Sequence, residues 1–146
     1  MAITLSSEPI QLVILTPSRK VVEVSCKDVS FPSSLGRLQI LPGHAELICQ
    51  IGTGAVYFTH GNSVGLCAVS GGAADVGNNK VTLLADIAEE AARIDPVRAQ
   101  KALERAQNRL AGKKDSPDMA RAIAAEQKAL ARLEACNSGA LSGKKN

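Results

Sequence analysis

Few side chains in this 146-residue chain could make or break a covalent bond. The two histidines, His44 and His60, lie in the turn-like stretches Pro42-Gly43-His44 and His60-Gly61-Asn62, with no carboxylate or cysteine immediately beside them. A general base needs an orienting partner within hydrogen-bond reach, so both read as structural or contact residues. The cysteines at 26, 49, 67 and 136 have no metal-ligand spacing and form no CxxC, which points to reduced structural thiols and to no metal site. Gly52-Thr53-Gly54 and Ser70-Gly71-Gly72 join apolar runs that read as strands. A phosphate-cradling loop needs a helix after it and, in the Walker form, a lysine. No GxSxG, HExxH or EF-hand pattern occurs. What remains is charge. Arg98, Lys101, Arg105 and Arg109 fall at i, i+3, i+7 and i+11, and Arg121, Lys128 and Arg132 at i, i+7 and i+11. Each set is a stripe on one helical face. It is either a solvated face with ion pairs to acids such as Glu104, or a surface that meets an acidic protein or an anionic ligand. The available chemistry is binding, not catalysis.

The elements that carry these residues divide in two. Residues 1–86 hold nine of the twelve glycines and only seven alanines; residues 87–146 hold fifteen alanines. The first part carries a net charge of −1 and the second +4. The first part reads as all-β. Short runs rich in Val, Ile, Leu and Thr recur between Gly, Pro, Asn and Ser. Candidate strands fall near Ile10–Thr16, Lys20–Cys26, Asp28–Phe31, Arg37–Ile40, Ala45–Ile51, Ala55–Thr59, Ser63–Val69, Ala73–Val76 and Lys80–Leu84. Many short antiparallel strands with tight turns imply a β-sandwich or flattened barrel. With aromatics at 2%, its core must be aliphatic.

The second part reads as two helices. Asp95-Pro96 supplies an N-cap oxygen and a proline at the first helical position, and Gly112 stops the helix. Ser116-Pro117 repeats the start signal for a helix to about Cys136. The Gly/Ser/Lys-rich stretch 137–146 reads as a flexible tail. The short connection makes an antiparallel α-helical hairpin. Ala99, Ala102, Leu103, Ala106 and Leu110 share one face of the first helix. Ala120, Ile123, Ala124, Leu130 and Ala131 approximate a face of the second. These are mostly small residues, and only large buried side chains contribute about 1.5–3 kcal/mol each. The hairpin is therefore expected to dock weakly and to be able to detach.

Scarce aromatics and a net charge of +3 weigh against nucleic-acid readers. No apolar run approaches the ~20 residues of a membrane span, and no signal peptide is visible.

Three strings in order carry a family resemblance. Leu38-Gln39-Ile40-Leu41-Pro42-Gly43-His44-Ala45, the segment VSGGAADVGNNKVTLLADIAEEAARID from Val69 to Asp95, and IDPVRAQKALERAQNRL after it resemble the epsilon subunit of bacterial F-type ATP synthases. The likeness covers residues 10–136. It implies a β-sandwich of about ten strands followed by the hairpin. It also implies a non-catalytic central-stalk subunit that helps couple proton translocation to ATP synthesis. Its sandwich (1–86) would bind the gamma subunit and the membrane ring of c subunits through Arg37, Pro42, Gly43 and His44. Arg37 stands where many bacterial members have an acidic residue.

The resemblance further implies that the hairpin (87–136) regulates, blocking ATP hydrolysis when extended along gamma into the alpha and beta subunits of the head. Lys101, Arg105, Arg109 and Lys128 would be its basic contact stripes. Some bacterial members bind ATP through an IDxxRA motif, matched here by Ile94, Asp95, Arg98 and Ala99, with Glu89, Arg121 and Arg132 at further matching positions and Lys128 in place of an arginine. No cofactor is implied beyond this regulatory ATP. The implied location is peripheral, on the cytoplasmic side of a bacterial inner membrane, held through partners only. Two other readings stay open from the residues alone: a free-standing ATP-sensing module, and a small β-sandwich enzyme, which would need a converging polar cluster.

Overall fold

The structure, a computed structural model, describes residues 8–112 and 119–142. Eight strands come first: β1 (Ile10–Leu15), β2 (Lys20–Cys26), β3 (Asp28–Ser33), β4 (Gly36–Ile40), β5 (Leu47–Gln50), β6 (Thr53–His60), β7 (Ser63–Gly77) and β8 (Lys80–Glu90). A 3₁₀ turn over Ala91–Arg93 leads to α1 (Pro96–Gly112) and α2 (Met119–Ser142). The expected β-sandwich followed by two helices is present. The second start signal, Ser116-Pro117, lies outside the described residues.

Hydrogen bonding links the strands in the order β2-β1-β8-β7-β6-β3-β4, with β5 also on β7. All pairs are antiparallel except β1 with β8, which is parallel, where only antiparallel pairing was expected. Strict alternation builds the core. Ile10, Leu12 and Ile14 of β1 are buried and meet Val29 and Phe31 of β3 and Ile40 of β4 in one cluster. Strands far apart in the ladder share that cluster, so the sheet must curl over itself. The cluster is aliphatic apart from Phe31, Phe58 and the thiols of Cys26 and Cys67. Burial pushes the Cys67 thiol up to about 12 and that of Cys26 up to about 11. Both stay neutral thiols in the core.

The two expected strands Ser63–Val69 and Ala73–Val76 are one. β7 passes through Ser70-Gly71-Gly72 without turning, because Gly71 (φ +72°) and Gly72 (φ +113°) bend the chain while it stays on the β8 ladder. β6 pairs with the segment before the bend and β5 with the segment after it. β8 likewise continues to Glu90, past the composition break at residue 87, because its second half pairs with β7 up to Cys67. The helix α2 runs on to Ser142, past the end expected at Cys136 and into the stretch 137–146 expected as a flexible tail. No helix among the described residues is long and apolar enough to cross a membrane.

On α1, Ala99, Leu103 and Ala106 are buried, as their spacing indicates. On α2 the expected face is only partly right: Ala131 is buried and Ala124 half-buried, but Ala120, Ile123 and Leu130 are not. Ala122, Ala129, Ala131 and Ala135 are buried, while Ile123 (43%) and Leu130 (46%) are exposed. The helix α2 lies between α1 and strands β6 and β7, so it needs two contact faces. Close helix packing uses small side chains at both, which pushes the large ones to the flanks.

Candidate nucleotide cavity and hairpin interface

The hairpin meets the sheet through a small second cluster. Its buried members are Ala55, Leu66, Ala68, Ile94, Ala99, Ala131 and Ala135. Five of these seven are alanine, so the apolar seam is thin compared with the sandwich core, whose buried members include Phe31, Leu12, Ile14 and Leu83. Polar contacts supplement it. Arg132 on α2 donates from Nε (3.0 Å) and Nη2 (2.8 Å) to one oxygen of Glu89 on β8. Tyr57 on β6 donates its hydroxyl proton to Glu134 on α2 at 2.5 Å.

Beside the Glu89–Arg132 pair a cavity of about 320 Å³ opens between β8, the 3₁₀ turn, α1 and α2. Its charged lining is Glu89, Arg93, Asp95, Arg98, Arg105 and Arg132, four guanidiniums against two carboxylates. Arg98 and Arg105 are two helical turns apart on α1 and so present to the same side. Planar guanidinium forks match phosphate oxygens, and the volume lies at the small end of the ~300–1,000 Å³ usual for ligand sites. Asp95 has a second task. Its Oδ1 accepts from the backbone N–H groups of Val97 (3.0 Å) and Arg98 (3.2 Å), capping α1. Asp95→Ala should therefore cost about 1 kcal/mol of stability, read as a lower denaturation midpoint with weaker helical circular dichroism. A larger apolar groove of about 760 Å³, bounded by Val21, Phe58, Val64, Leu66 and the carboxylates of Glu23 and Glu90, offers an anion no cation.

The site residues expected from the sequence are only partly assembled. Glu89, Asp95, Arg98 and Arg132 converge on the cavity; Arg121 is exposed on α2 and does not line it. Arg105, expected in a basic stripe, lines the cavity, whereas Lys101 and Arg109 are exposed away from it. Lys128 borders a neighbouring cleft with Ser70, Glu89 and Arg132. Arg93 was missed, although it directly precedes Ile94-Asp95. On the sandwich, Pro42 and Gly43 form a turn held by the Gly43 N–H donating to Asn79 Oδ1 (2.7 Å), with His44 exposed beside it. Arg37 lies at the other end of β4 and turns to α2: its Nη2 is 3.8 Å from Glu134.

The residues match two family models in succession. The model described as ATP synthase, Delta/Epsilon chain, beta-sandwich domain covers residues 9–91, and that described as ATP synthase, Delta/Epsilon chain, long alpha-helix domain covers 88–137. This chain belongs to the ATP synthase delta/epsilon family. The junction of the two models falls on the end of β8 and the 3₁₀ turn. Among its relatives, the ATP synthase epsilon chain of Syntrophobacter fumaroxidans is 40% identical over 88% of this chain and 96% of that one. The one from Maridesulfovibrio salexigens is 46% identical over 84% and 86%. In fold, the chain is similar to a chain of the Euglena gracilis mitochondrial ATP synthase, with a TM-score of 0.71 at 23% identity, covering 96% of this chain and 86% of that one. Among the described residues of this family member no group of side chains could hold a metal ion.

Proposed function

We propose that the chain is a non-catalytic central-stalk subunit of a proton-driven F-type ATP synthase. Its sandwich grips the gamma subunit and the c-subunit ring, and its hairpin restrains ATP hydrolysis by reaching into the alpha and beta subunits of the head. It sits peripherally at the cytoplasmic side of a bacterial inner membrane, attached through those partners. The observation that carries this reading is the succession of both family models, in order, over nearly the whole chain. The thin alanine seam supports the mobile hairpin, since a switch needs states separated by only a few kcal/mol. Gly43 and His44, on their anchored turn, are the proposed shaft or ring contacts.

A tagged copy should co-purify with gamma and the catalytic subunits; recovery of the chain alone would refute the stalk role. A chain cut after Arg93 keeps β8 intact. In the reconstituted complex it should raise ATP hydrolysis, and unchanged hydrolysis would refute the inhibitory hairpin.

The arginine-lined cavity favours a second, compatible reading, regulatory ATP binding by the docked hairpin. Ligand that binds only the docked form stabilises it by mass action. Calorimetric titration of the chain with ATP should give saturable heat below millimolar ligand; no heat would dismiss the site.

A further inference from the structure

Arg37 is the one cation of the sandwich side that reaches a carboxylate of α2 among the described ion pairs. Three groups from three elements meet there. The Arg37 guanidinium on β4 lies over the Tyr57 ring of β6, 5.1 Å from its centroid. The Glu134 carboxylate of α2 accepts the Tyr57 hydroxyl at 2.5 Å and lies 3.8 Å from Arg37 Nη2. Arg37 Nη1 donates to Ser30 Oγ at 3.1 Å, which fixes the plane of the fork.

We infer that Arg37, Tyr57 and Glu134 form a clasp that holds the hairpin docked, and that Arg37 is thus a hairpin-holding residue rather than a free contact for a rotor ring while the hairpin is down. The inference rests on the proposed mobile hairpin. Its chemistry suits repeated opening. The side chains of Arg37 and Glu134 keep 39% and 41% of their exposure, so water can solvate both charges as they part and no buried charge is stranded. The other polar tie, Arg132 to Glu89, borders the nucleotide cavity and would be shared with a bound anion. Arg37, Tyr57 and Glu134 do not line that cavity, so the clasp sets the docked population without ligand.

Hydrogen exchange of the full isolated chain, without nucleotide, tests this. Arg37→Met and Glu134→Gln should each speed exchange of the α2 amides around Gln127–Asn137 about three- to tenfold, with β1 and β8 amides unchanged. The double variant should be no faster than the more affected single, because both break one unit. The charge swap Arg37→Glu with Glu134→Arg should recover part of the protection. Unchanged α2 exchange in both single variants, or effects that multiply in the double variant, overturns the clasp. Should Arg37→Met also loosen the sheet, Tyr57→Phe removes only the hydroxyl. Faster α2 exchange in that variant sustains the clasp, and wild-type exchange overturns it. A chain that fails to join an ATP synthase would refute the stalk role and leave this result standing.

Discussion

Replacing Gly72 with alanine should cost the fold about 3 kcal/mol or more. Gly72 has a φ of +113°, a conformation that costs a side-chain-bearing residue roughly 1–3 kcal/mol. Space is the harder constraint. A Cβ on Gly72 would sit 1.9 Å from the Leu84 carbonyl oxygen and 2.9 Å from the Ala85 Cα, both backbone atoms of β8. The β7–β8 ladder would have to open at the bend that lets one strand serve both β5 and β6. With a urea slope of ~1–3 kcal/mol per molar, the midpoint should fall by about 1 M or more. Gly61 is the control. Its φ is +59°, and a Cβ there meets nothing within 4 Å, so Gly61→Ala bears only the conformational term. Equal losses in the two variants would show that Gly72 is not a packing constraint.

Removing one cavity guanidinium should weaken ATP binding by about ten- to a hundredfold, since hydrogen bonds to charged groups are worth ~1.5–3 kcal/mol. Arg98→Ala is the expected case, because Arg98 lines the cavity from the first turn of α1. Arg105→Ala should behave alike. Arg98→Lys keeps the charge but loses the planar fork, so its loss should be intermediate. Arg121→Ala should leave affinity unchanged, because Arg121 is exposed and off the cavity. Calorimetry on the four variants decides between assignment by matched position, which includes Arg121 and omits Arg105, and assignment by geometry, which does the reverse. A large loss with Arg121→Ala and none with Arg105→Ala would discard the cavity.

Much of the scaffold was legible along the chain. Ile10, Leu12 and Ile14 alternate and are buried. Asp95-Pro96 announces the start of α1, and the Asp95 carboxylate does cap it. The failures share one origin. Ser70-Gly71-Gly72 has the composition of a turn, and the same glycine freedom serves a bend within a strand; which one forms depends on whether β5, β6 and β8 are there to pair. Ile123 and Leu130 look like core by their size, yet α2 needs alanines at both of its contact faces.

Periodicity and capping are local, so the residues alone determined a β-rich body, an alanine-rich pair of helices and the absence of recognisable catalytic motifs. Contacts between distant segments belong to the tertiary structure. Only the docking of α2 across β6 and β7 decided that Arg132 meets Glu89, that Arg93 and Arg105 join the cavity while Arg121 does not, and that Arg37 turns toward Glu134. The reason is that a helical stripe specifies which residues share a face, but not which surface that face will meet. That is set by where small side chains let two elements approach, and spacing along the chain does not encode it.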